Sequence, residues 1–309
     1  MKMTIIGAGM AGLLAANMLR SKVDSIIDRS PDVPNNHHSV LRFRSSLVGD
    51  TLGIPFRKVQ VLKWVATTGN PVADTLSYAR KTSGIYSMRS IADVMGQLEE
   101  RFIAPPDFVD RMFRNIPKSS FSFGDDFDFR DDKIAGKPYI STIPMPDLMD
   151  QLDWPGPRPE FNSRPGFSIK FDVEACDAFA SIYVPDFDTS IYRISVTGSE
   201  VIVEFVGKDS GDNSFTQARQ AAQVLLGFDG DPFPQGHLAT MRYAKISAID
   251  EEVRKNFIMW ASTEHNVFSL GRFATWRPGL LLDDLVKDVR VIERLADNKS
   301  AIYDHFKKG

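Results

Sequence analysis

The sequence predicts an α/β protein, with one domain on a parallel sheet, a second on a mostly antiparallel sheet, and a helical insertion. Three observations carry this. A short apolar strand, Thr4-Ile5-Ile6, runs directly into Gly7-Ala8-Gly9-Met10-Ala11-Gly12 and then into an apolar helix from Leu13 to Leu19. A second apolar run, Ser25-Ile26-Ile27, ends on Asp28-Arg29. Beyond Trp154-Pro155-Gly156-Pro157-Arg158-Pro159 the pattern changes from solid apolar runs to alternation, the period of half-buried strands.

Strand, GxGxxG, helix, strand and acid in that order make a Rossmann-like nucleotide-binding unit. Gly7 permits the tight turn out of the strand. Gly9 removes the Cβ that would hold a diphosphate away from the backbone, and Gly12 lets the helix lie close on the sheet. Met10 and Ala11 open the helix, where unpaired N–H groups and the positive dipole end favour an anion. Asp28, with Arg29 beside it, stands where a carboxylate accepts hydrogen bonds from a ribose diol. The competing reading is a glycine-rich turn that binds nothing.

At 309 residues the chain can form one large domain or two that share a core. Its 43% hydrophobic and 25% charged residues are ordinary for a globular protein, and a net charge of −3 gives no reason to expect a polyanionic partner. Cys176 is the only cysteine, which excludes an intrachain disulfide and suits a reducing cytoplasm. No apolar run approaches a membrane span, and the first strand begins too early for a signal peptide, so the expected location is cytoplasmic. His37 and His38 lack an acidic partner at ligand spacing, and no metal is expected.

After Asp28 a polar loop leads to Val40-Leu41-Arg42-Phe43-Arg44. Arg42 and Arg44 alternate, so they share a strand face that either meets phosphate or an anionic substrate, or stays solvated. Residues 60–119 read as mainly helical, over Val72–Lys81, Ser90–Phe102 with Ser90 as N-cap, and a short helix after Pro105-Pro106. Residues 120–135 suggest a short hairpin turning at Gly124-Asp125. Tyr139 to Ile143 is an apolar strand for the centre of the parallel sheet, with Thr142 at its ligand edge.

In the second domain, strands are expected over 167–173, 178–184, 190–197 and 200–206, then a helix over 214–226 and a strand over 237–246. Tyr192 and Arg193 fall on opposite faces if their strand is regular. Lys170 either faces solvent or approaches the ligand. Near the C-terminus, Val267–Leu270 is a strand, followed by Gly271-Arg272-Phe273-Ala274-Thr275-Trp276 and a helix over 280–295 with Asp283 and Asp284 early. This reads as a second anion-friendly corner. The expected division is 1–59 with 120–153 and 255–309 as the nucleotide-binding domain, 60–119 as the helical insertion, and 154–254 as the antiparallel substrate domain.

Together these segments resemble the flavoprotein superfamily that includes amine oxidases, protoporphyrinogen oxidase and UDP-galactopyranose mutase. The resemblance rests on Ile5 to Leu13 with Asp28-Arg29, on Tyr139 to Pro144, on Gly271 to Trp276, and on Tyr183 to Asp188 followed by Tyr192-Arg193. It implies a non-covalently bound FAD, held by Gly7, Gly9, Met10, Ala11, Gly12, Asp28, Arg29, Arg44, Thr142, Gly271 and Arg272. Substrate contacts would come from Tyr192, Arg193 and Trp276. The mutases carry a longer helical substrate region and a pair of tyrosines after the glycine–arginine segment, where this chain has Arg277-Pro278-Gly279. The first reading is an FAD-dependent oxidoreductase acting on a C–N or C–C bond of a small molecule or a polymer-borne group. The alternatives are a redox-neutral mutase or isomerase and a non-catalytic dinucleotide-binding protein. No catalytic base is assigned.

Overall fold

The computed structural model describes residues 2–32, 40–88, 91, 96–131, 137–209, 211–233 and 235–298. His37, His38 and the expected N-cap Ser90 lie outside them.

The chain opens with β1 (Met3–Ile6), α1 (Met10–Leu19) and β2 (Val23–Asp28). Next come β3 (Arg42–Phe43), α2 (Leu47–Leu52), β4 (Arg57–Val65), α3 (Pro71–Ser83), β5 (Gln97–Ile103) and α4 (Phe108–Arg114). A short β6 (Phe121–Phe123), β7 (Tyr139–Ser141) and α5 (Met145–Gln151) precede the proline-rich linker. Beyond it lie β8 (Ser163–Asp172), β9 (Ala178–Tyr183), β10 (Ile191–Gly198), β11 (Glu200–Val206), α6 (Asp212–Leu226) and β12 (His237–Ile246). The described chain ends with α7 (Glu251–Glu264), β13 (Val267–Ser269) and α8 (Leu282–Asp297).

Five strands form a wholly parallel sheet in the order β13-β7-β1-β2-β6. Every residue of β1, β7 and β13 is buried, because both faces of the sheet are covered. On one side Leu13 and Leu14 of α1 pack with Val286 and Val289 of α8. On the other, Met145 and Leu148 of α5 meet Phe257 and Ala261 of α7. Asn17 fastens α1 to α4, its side-chain amide donating to the Met112 carbonyl at 2.8 Å.

The second sheet has eight strands in the order β12-β8-β11-β10-β9-β4-β5-β3, antiparallel throughout except where β4 runs parallel to β9. One face, with Phe167, Ile169, Phe171, Ile194, Val203 and Phe205, is closed by Ala218 and Ala222 of α6. The opposite face is polar, since alternation places Ser181, Arg193, Ser195 and Glu204 there in register.

Three expectations are corrected. Residues 60–119 are not a mainly helical insertion, because β4 and β5 pair with each other and extend the second sheet. The Glu-rich stretch expected as a helix over 90–102 becomes a strand over Gln97–Ile103. Its acids answer lysines on β4, Glu99 to Lys63 and Glu100 to Lys58. With β3 also in that sheet, the antiparallel unit recruits segments on both sides of the 60–119 boundaries. Finally, residues 121–123 do not form a hairpin arm but join the edge of the parallel sheet beside β2, with Gly124 N–H bonded to the Ser30 carbonyl.

Candidate dinucleotide and substrate site

The carboxyl ends of β1, β2, β7 and β13 converge on one edge, where an open α/β sheet binds its ligand. Gly7 leaves β1 at φ +104°, and a Cβ there would meet Thr142 Oγ1 at 1.9 Å. Thr142 in turn donates its hydroxyl to the Ile6 carbonyl at 2.9 Å, so β7 is pinned against the turn. A Cβ on Gly12 would lie 1.9 Å from the Gly7 carbonyl oxygen, which fixes how closely α1 follows the strand.

Gly9 is different. It is exposed, it N-caps α1 at φ −67° with no side-chain cap, and a Cβ added to it meets nothing within 4 Å. The fold tolerates a side chain at this point, so packing does not account for glycine here. Met10 and Ala11 follow as half-exposed residues at the helix start. Asp28 accepts from Ala8 N–H at 2.5 Å through Oδ2 and from Ser30 N–H at 2.8 Å through Oδ1. It therefore holds the glycine turn against β2, and each oxygen retains lone-pair capacity for a further donor. Arg29 is exposed.

Gly271 brings the last strand to the same place. It turns at φ +100°, and a Cβ on it would stand 3.3 Å from Ala11 Cβ, so the two glycine segments touch. Two buried polar atoms here lack hydrogen-bond partners among the described residues, Ser269 Oγ and Arg272 Nε. Orphaned polar atoms in a buried setting are costly unless a ligand answers them. An adenine dinucleotide fits this edge on three counts: the open space over Gly9, the free N–H groups of α1, and the unanswered hydroxyl of Ser269.

The polar face of the second sheet supplies the other wall. Glu204, on β11, is 7% exposed and accepts from Tyr192 O–H at 2.7 Å and from Arg193 Nη2 at 2.8 Å. Regular alternation would send Tyr192 and Arg193 to opposite faces. A break in register between Ile191 and Arg193 turns both toward one carboxylate, a feature that alternation in the sequence does not reveal. Burial alone would raise the Glu204 carboxyl, but Arg193 and then Lys245 and Tyr192 outweigh it and hold it below the usual range. Arg272 couples electrostatically to Tyr192, Arg193 and Glu204, which links the last loop of the parallel sheet to this wall.

Other expected contacts go elsewhere. Arg42 and Arg44 do not share an outward face, since β3 is only a two-residue strand. Arg42 runs into the second sheet and donates to Thr197 Oγ1, Ser181 Oγ and the Ala180 carbonyl. Arg44 is exposed, and its backbone N–H binds Asp283. The start of α8 is not an open anion corner: Asp284 accepts from Leu281 N–H, and Asp283 accepts from Ser45 N–H. Lys170 does not face solvent but is 9% exposed and paired with Glu200 at 3.3 Å.

Trp276 is 1% exposed and donates its indole N–H to the Ser247 carbonyl at 2.9 Å. It packs on Phe161 and Tyr243, and one edge borders a cleft of about 440 Å³ with Arg254 and Asp288. Most of its side chain is engaged in packing, and only this edge reaches the cleft. Among the described residues no cluster of His, Cys, Asp or Glu could hold a metal ion, and no helix is long and apolar enough to cross a membrane.

Comparison with solved structures places this geometry. A reduced UDP-galactopyranose mutase superposes with a TM-score of 0.64 at 14% identity, over 97% of this chain and 98% of that one. An oxidoreductase from Methanosarcina mazei aligns at 0.57 and 10% identity, over 95% and 100% of the two chains. An FAD-dependent oxidoreductase from Pseudomonas aeruginosa aligns at 0.53 and 13% identity, over 96% and 91%. The chain shares the fold of these structures, a Rossmann-like parallel sheet joined to a mostly antiparallel one. At these identities the likeness is one of fold, and it extends over nearly the whole chain. No protein-family model matches the sequence, and no curated protein does so.

Proposed function

We propose that this chain is an FAD-binding flavoenzyme, and most specifically an oxidoreductase acting on a small molecule or a group carried on a polymer. The observation that carries the reading is Gly9, an exposed glycine in an unstrained conformation with open space where its side chain would be. Glycine suits an N-cap, and a ligand lying over the turn would in addition require that no side chain stand there. The Gly7–Gly12 turn and the start of α1 would hold the diphosphate, Asp28 the ribose, and Thr142 and Gly271 the remainder. When bound, FAD supplies the redox chemistry, while the protein supplies orientation and electrostatics. The polar face around Tyr192, Arg193 and Glu204 would position the substrate. The flavoprotein fold supports this reading and leaves the reaction open.

The test is the absorption spectrum of the purified protein, followed by acid or heat release of the chromophore. One intact FAD per chain is expected. A colourless protein that binds only a nicotinamide dinucleotide in titration would overturn the assignment. The mutase, which matches both chains almost end to end, keeps a redox-neutral reaction as the second reading. That reading requires turnover by the reduced protein with no net consumption of an electron acceptor.

A further inference from the structure

Five side chains from four separate segments meet on the polar face of the second sheet: Tyr192 and Arg193 of β10, Glu204 of β11, Lys245 of β12, and Arg272 after β13. Their charges do not balance. Arg193 and Tyr192 both bind Glu204, which occupies the carboxylate. Lys245 Nζ stands 4.2 Å from the centroid of the Tyr192 ring, and neither a hydrogen bond nor an ion pair links it to another described residue. Arg272 lies over Phe273 at 5.7 Å, and its buried Nε has no partner. Three of these five side chains are cations and one is an acid, and Arg42, which hydrogen-bonds to β9 and β10, adds a further positive charge on which Glu204 also acts.

Burying a charge without an opposite partner is costly, and a ring face repays only a small part of that cost. Among the described residues, Glu204 is the acid that acts on both Lys245 and Arg272. Two cations are left to be answered from outside the chain. They come from different walls, Lys245 from the antiparallel sheet and Arg272 from the loop that touches the glycine turn, so their shared space lies between the two sheets.

We propose that Lys245 and Arg272 jointly hold an anionic group of the substrate, a carboxylate or a phosphate-type oxyanion. Glu204 positions this pair indirectly, by holding Arg193 and Tyr192, and it is Tyr192 whose ring seats Lys245. The substrate is thus an anion, and neutral analogues lacking the charged group bind poorly. Burial, with Arg193 and Arg272 adding to it against Glu204, pushes the Lys245 ammonium down to about 8. An arriving anion reverses that, so binding near this pH takes up a proton.

Calling the ligand a substrate rests on the flavoenzyme reading, and the test separates the two. FAD content is measured first, for wild type, Lys245→Met and Lys245→Arg. Sulfate and acetate are then titrated separately by calorimetry at constant ionic strength, near pH 8, in two buffers of different ionisation enthalpy. The expected result is saturable binding with proton uptake, weakened about tenfold or more in Lys245→Met and restored in Lys245→Arg, with FAD content unchanged. Preference for sulfate indicates a phosphate-type group, and preference for acetate a carboxylate. Equal affinity in wild type and Lys245→Met, or binding of neither anion, would overturn the proposal. So would displacement of FAD in step with anion binding, because the cations would then serve the cofactor. A chain that holds no FAD yet loses sulfate affinity in Lys245→Met would sink the flavoenzyme reading and leave the anion site standing.

Discussion

Gly9 and Gly12 belong to one motif but answer to different neighbours. A side chain on Gly12 would meet the Gly7 carbonyl at 1.9 Å, whereas one on Gly9 meets nothing. Gly12→Ala is therefore expected to destabilise the fold by about 1–3 kcal/mol, as overpacking does, in a urea melt. Compared as flavin-free proteins, Gly9→Val should shift that melt by no more than about 1 kcal/mol, the cost of a poorer N-cap, and still abolish flavin retention. Equal flavin occupancy in wild type and Gly9→Val would show that the turn binds nothing. Glu204 carries a pH signature of its own. Because its folded-state pKa is depressed, its contribution is present above the ordinary glutamate value of about 4.3 and is lost as pH falls below it. Glu204→Gln should lose about 3 kcal/mol at pH 7, from the stranded Arg193 charge, and converge on wild type in acid. A constant difference from pH 7 to pH 3 would contradict this.

Among the elements, α3 has one side chain that governs a turn. Lys81 is 6% exposed and donates to the carbonyls of Val184, Ile191 and Asp186, all at the connection between β9 and β10. That connection leads directly into the register break that brings Tyr192 and Arg193 together. Lys81→Met leaves buried carbonyls unanswered and should cost about 2 kcal/mol, with faster amide exchange across residues 184–192. Exchange that accelerates evenly over the whole second sheet, with no focus on the turn, would mean that Lys81 acts only through general packing.

For the whole molecule, ligand and stability are linked. The parallel sheet and the polar wall meet through Gly271, packed on Ala11, and Arg272, coupled to Arg193 and Glu204. A ligand seated at that junction binds the folded chain only. FAD at about 100 times its dissociation constant is then expected to stabilise the protein by about 2.7 kcal/mol, read as a concentration-dependent rise in melting temperature. Gly9→Val should show no rise over the same range. A wild-type melt that ignores FAD at every concentration would exclude the site.

The sequence by itself determined the parallel sheet, the glycine turn, the alternating strands of the second sheet and the return of the last strand. Each is a local pattern: glycines at a fixed spacing, an acid at a strand end, apolar residues at period two. Only the tertiary structure decided the rest, because long-range pairing was the cause. The stretch Gln97–Ile103 is a strand because it pairs with β4, whose lysines reach its glutamates diagonally across the ladder, information held dozens of residues away. Arg42 is drawn into the second sheet by Thr197 and Ser181, and Trp276 is sealed by Phe161 and Tyr243. Lys245 drew no attention in the sequence, since a lysine on a strand is ordinarily solvated. It matters here because a register break in β10 turns Tyr192 beneath it, and because the one acid nearby is already taken.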